Sequence, residues 1–162
     1  MIAGSLPRRY ARALFELSLE EGDQTAVEGN GSSLESFANA LERSPGALEA
    51  IASPSFSTDE RIAVVREICS RLQIPSTVHQ FLSFLVEKER AGLLPEVVRE
   101  FGRMRDETLG IVRVMVTTPG PPEGALLREV ERLFSRRSGR RTVATGRADP
   151  EMLGGLVLEV GG

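Results

Sequence analysis

The chain has 162 residues, 41% of them apolar, and a net charge of −3, enough apolar content for a packed core and too acidic to draw nucleic acid by its overall field. Its one cysteine, Cys69, can make no internal disulfide, which points to a reducing compartment. No apolar run nears the roughly 18 residues of a membrane span, and charges break up the N-terminal stretch where a signal peptide would need an apolar core, so a soluble intracellular protein is expected.

Ser5 ahead of Pro7 makes a good helix start, because proline in the first turn gives up no hydrogen bond. The helix is predicted from about Pro7 to Glu21, with Gly22 as its stop. "EGNGSS" (28–33) reads as an interruption of the second helical region. That region resumes with Leu34, Phe37, Ala38 and Leu41 on one face and ends at Pro45. A short apolar turn, "GALEAIA" (46–52), follows. Ser57 and Glu60 have the spacing of a capping box ahead of Ile62, Val65, Ile68, Cys69 and Leu72. Pro75 separates this helix from a fifth, roughly Ser76 to Arg90, and Pro95 opens a sixth carrying Val97, Val98, Phe101 and Met104.

The pattern changes after Gly110. "IVRVMVTT" (111–118) alternates and is β-branched, as a strand should be. "PGPP" turns the chain into an amphipathic helix, "EGALLREVERLFSRR", and further strands are predicted at about Thr142–Thr145 and Leu156–Val160. The fold class is therefore mainly α with a small α/β C-terminal part. A six-helix bundle is expected over residues 1–108 and a small mixed strand–helix domain over 109–162.

Chemistry-bearing motifs are few. "LGGLV" has neither the Gly-Lys-Ser/Thr of a P-loop nor the strand-before, helix-after context of a dinucleotide fingerprint, so its glycines are read as a bend entering a strand. His79 is the only histidine, no cluster has zinc spacing and no nucleophile elbow is present, so no catalytic residue, metal or cofactor is assigned. "RRSGRR" (136–141) is the sharpest basic cluster. It fits the end of a helix, where cations complement the dipole and Gly139 caps, and it also leaves open an RNA-associated adaptor as the rival reading.

The helical faces carry more information. At about 100° per residue, Tyr10, Ala11, Ala13, Leu14, Phe15, Leu17 and Leu19 cover much of the first helix. Val78, Phe81, Leu82, Phe84, Leu85 and Val86 cover a similarly wide arc of the fifth. Both arcs exceed what one core contact needs. Either these helices are central to the bundle, or their outer faces form a groove for a partner helix.

"RRYARALFELSLEEG" (8–22) resembles the opening of the δ subunit of bacterial F-type ATP synthase, the family called oligomycin-sensitivity-conferring protein in mitochondria. "FLVEKERAGLLPEVVREF" (84–101) is similar to that family's Leu-x-x-x-x-Arg-x-x-x-Leu-Pro segment. "VMVTTPGPP", the amphipathic helix, "SGRRTV" and "ADPEMLGGLVLEVG" follow in the family's order, so the resemblance covers nearly the whole chain.

The resemblance implies a bundle plus a smaller α/β domain and a non-catalytic role in the peripheral stalk, at the cytoplasmic face of the bacterial plasma membrane. It implies that the first and fifth helices hold the N-terminal helix of an α subunit, with Tyr10, Ala13, Leu14 and Leu17 on one wall and Phe81, Phe84, Leu85 and Lys88 on the other. Lys88 would stand at the rim for an acidic partner group. The C-terminal domain would hold the C-terminal ends of b subunits. One copy per complex, no homo-oligomer, no nucleic acid and only indirect membrane contact are implied with it. The sequence departs from the family at "EGNGSS", and it stops after the Gly-Gly strand, where members continue with a further strand and a last helix. A piece cut from a longer chain is expected, rather than a naturally short protein.

Overall fold

The computed structural model describes residues 5–44 and 46–161. The capping side chain expected at Ser5 and the stop expected at Pro45 lie outside what is described. Two compact units divide the chain, Met1–Arg105 and Asp106–Gly162.

The first unit is helical. Its first element, α1 (Ser5–Glu42), is two helices joined at a break, where Gly22 is extended and Asp23 takes φ 57°, ψ −148°. The stop expected at Gly22 is therefore present. The interruption expected at "EGNGSS" is not, because helix runs through those residues.

Two contacts account for this. Asn30 is buried and its Nδ2 donates to Ser18 Oγ at 3.0 Å and to Glu21 Oε2 at 3.1 Å, tying the second half of α1 to the first. Gly31 gives Phe101 and Arg105 room to approach: a Cβ there would lie 2.9 Å from Phe101 Cε1 and 2.9 Å from Arg105 Nη1. Each glycine in a helix interior costs about 1 kcal/mol against alanine, and the packing it permits offsets that.

Next come α2 (Ala47–Ala52), α3 (Thr58–Arg71), α4 (Ser76–Glu87), a 3-10 turn (Ala91–Leu93) and α5 (Leu94–Leu109). The capping box at α3 forms as expected, with Ser57 Oγ accepting from the Glu60 amide and the Glu60 carboxylate accepting from the Ser57 amide. With α1 counted as two helices, the described residues of this unit hold six α-helical segments. Phe37, Leu14, Leu34, Ile51, Val65 and Phe101 are among its buried core. Phe15 meets Phe101 edge-on at 5.8 Å between ring centroids.

The second unit holds β1 (Val112–Thr118), α6 (Gly124–Ser138), β2 (Thr142–Ala148) and β3 (Val157–Gly161). The strand order is β2-β1-β3, with β1 parallel to β2 and antiparallel to β3. Val114 and Val116 of β1 pack with Ala144 of β2 and Val130 of α6 in a small second core. Gly139 caps α6 in the left-handed region, φ 68°, as its place in "RRSGRR" predicts. Gly155 turns the chain ahead of β3 at φ 79°, with open space around it, so the paired glycines serve the backbone.

Candidate partner groove

Two stripes on facing helices shape a largely apolar, open concavity of the first unit. In α1, Ala11, Leu14 and Ser18 point into the core at helical spacing, and Tyr10, Ala13 and Leu17 form the neighbouring outer stripe. In α4, Val78, Leu82 and Leu85 point inward, Phe81 is buried yet reaches the groove lining, and Thr77, Gln80 and Phe84 form the outer stripe. Between the outer stripes lies an open groove of about 540 Å³, lined by Tyr10, Ala13, Leu17, Phe81 and Phe84 with Glu20, Glu21, Thr77 and Gln80.

Tyr10 and Phe84 close one end edge-to-face, with centroids 6.2 Å apart and planes at 65°. Lys88 lies one turn beyond Phe84, its Nζ 5.4 Å from the Phe84 ring centroid, a distance at which the ring's negative face attracts the ammonium. Leu17 keeps 50% and Phe84 42% of its surface in solvent. Apolar area left in water forgoes about 25 cal/mol per Å², and an exposed apolar stripe rimmed by polar groups is characteristic of a docking surface.

Six of the eight residues assigned from sequence fall in or beside this groove. The other two require a correction: Leu14 is 0% and Leu85 1% exposed, both in the core beneath the groove floor. Each sits one position from a lining residue, so about 100° of helix rotation carries its side chain inward. The sequence reading missed Glu20, Glu21, Thr77 and Gln80. They follow Leu17 and precede Phe84 by three, four or seven residues, so extending the outer stripes past their apolar members would have found them.

The other candidates stay apart from the groove. Cys69 is buried, and burial pushes its thiol up to about 11. His79 lies in the first turns of α4, its Nε2 buried without a hydrogen-bond partner among the described residues. Arg136, Arg137, Arg140 and Arg141 are exposed, the first two in the last turn of α6. No three potential metal ligands come together among the described residues.

A sequence profile of the ATP synthase delta (OSCP) subunit family matches residues 6–162. The chain belongs to this family. It is 35% identical over 161 residues to ATP synthase subunit delta of Anaeromyxobacter sp. (strain Fw109-5), a match spanning 99% of this chain and 88% of that one. It is 32% identical over 161 residues to the subunit delta of Solidesulfovibrio magneticus, spanning 99% and 87%. Among solved structures it is similar to a chain in the cryo-EM structure of the Toxoplasma gondii mitochondrial ATP synthase hexamer, with a TM-score of 0.73 and 26% identity over 94% of this chain and 84% of that one.

As a delta subunit the protein is a structural component of the ATP synthase stator and not a catalyst. The complex is membrane-associated, yet no helix among the described residues is long and apolar enough to cross a membrane. The comparisons lend no support to an RNA-associated adaptor.

Proposed function

We propose that this delta subunit joins the catalytic head to the peripheral stalk by taking the N-terminal helix of an α subunit into the α1–α4 groove. The observation that carries this reading is the uncovered apolar stripe of Tyr10, Ala13 and Leu17 facing Phe81 and Phe84. An amphipathic helix laid there buries its own apolar face and that stripe together, the helix-in-groove mode of recognition. Residues 1–108 are the head-binding part and 109–162 the stalk-binding part, holding the C-terminal ends of b subunits. Leu156, Val157 and Val160, apolar and exposed in or beside β3, favour a partner there. One copy works in each complex, on the cytoplasmic face of the plasma membrane.

Calorimetric titration of the whole chain with the N-terminal helical peptide of its cognate α subunit tests the groove. The parent should bind, and Phe84→Asp, checked as folded by circular dichroism, should lose that binding. A folded parent that gives no binding heat would remove the groove assignment.

A further inference from the structure

The groove carries opposite charges at its two ends. From the Tyr10–Phe84 contact its lining runs forward along α1 to Glu20 and Glu21, and backward along α4 to Gln80 and Thr77. The carboxylates therefore stand at the end away from Tyr10. At the Tyr10 end stands Lys88, held over Phe84. Eleven residues of helix separate Thr77 from Lys88, a span of about 16 Å. That is about twice the screening length at physiological ionic strength, so each end reads its own neighbour independently.

Each end offers a charge that is still available. Glu21 already accepts from Asn30, whereas Glu20 and Lys88 form no ion pair among the described residues. A docked helix that covered the apolar floor and brought like charges to these ends would meet repulsion at both. One with opposite charges would gain two pairs at the rim of an otherwise apolar contact, where charge chiefly sets register and orientation.

We propose that the groove fixes the direction of its occupant by charge. It takes an amphipathic helix of about three turns whose basic side chains lie at the Glu20–Glu21 end and whose acidic side chains lie beside Lys88. This rests on the helix-in-groove reading above and adds which way round the helix lies. The apolar stripe supplies most of the affinity and the end charges supply the polarity.

The test uses the full chain and the N-terminal peptide of the cognate α subunit. Its sequence should carry charges of opposite sign toward the two ends of its apolar stripe, and a peptide without them would overturn the inference. Glu20→Lys and Lys88→Glu should each weaken binding about threefold to tenfold, and the double variant should weaken it most. A peptide with its end charges exchanged should recover affinity for the double variant and lose it for the parent. A paramagnetic label at the peptide's basic end should broaden the amide signals of Leu19–Glu21 and spare those of Lys88–Arg90. Equal affinity across the charge variants, or broadening at both ends, would overturn the polarity and leave the groove standing. A folded parent that binds no peptide would bring down the groove reading and this inference with it.

Discussion

Asn30 Nδ2 lies 3.0 Å from Ser18 Oγ, and that buried bond joins the two halves of α1 across the break at Gly22–Asp23. Ser18 in turn donates to the Leu14 carbonyl at 2.7 Å, so the pair is anchored to the helix that forms one wall of the groove. Truncating one partner leaves the other buried without its bond, at a cost of about 1–3 kcal/mol. Asn30→Ala should lower the urea midpoint accordingly. An unchanged midpoint would show that apolar packing alone holds the two halves.

Two glycines two residues apart should respond with opposite sign. Gly31→Ala forces a methyl group against Phe101 and Arg105 and should destabilise by about 1–3 kcal/mol. Gly29 has nothing within 4 Å of where its Cβ would be, so Gly29→Ala should stabilise by up to about 1 kcal/mol through helix propensity alone. Thermal unfolding of the two single variants is a direct check, and equal shifts would contradict it.

Leu14 and Leu17 separate stability from binding within a single turn. Leu14→Ala empties a fully buried site and should cost about 2–5 kcal/mol. Leu17→Ala removes a half-exposed side chain and should change stability by less than about 0.5 kcal/mol while weakening peptide binding. Denaturant melts and calorimetry on the same two variants give both readouts.

Cys69 predicts a pH dependence. Burial raises its thiol from an ordinary value near 9 to about 11. Above pH 9 the unfolded chain gives up this proton while the folded chain still holds it, so stability from this group is full below pH 9 and declines toward pH 11. Cys69→Ala should flatten the difference in urea midpoint between pH 8 and pH 10.5 relative to the parent. Thiol reagents should modify the native parent slowly at pH 8, because little thiolate exists.

How far each element could be read from sequence depended on where its causes lie. The α3 cap was legible because Ser57 and Glu60 are three residues apart and satisfy one another. The break at Gly22 was legible for the same local reason. Helix through "EGNGSS" was not, since the partner that Gly31 admits is Phe101, seventy residues away. The apolar arcs of α1 and α4 marked both helices as unusual, yet Leu14 and Leu17 looked alike in them. Which of two leucines faces a core is decided by what packs behind it, and a single helix does not contain that information.

The sheet of the second unit has a mechanical direction. Arg113, near the start of β1, pairs with Gly161 at the end of β3, so a pull separating those two positions unzips the ladder one rung at a time. Val112 and Thr142 begin their parallel strands side by side, so drawing the start of β1 against the far end of β2 loads every rung at once. One ladder is thus set for peeling, in which it is weak, and the other for shear, in which it is strong. Where a partner grips this unit decides which of the two strengths a stator under rotary load has at its disposal.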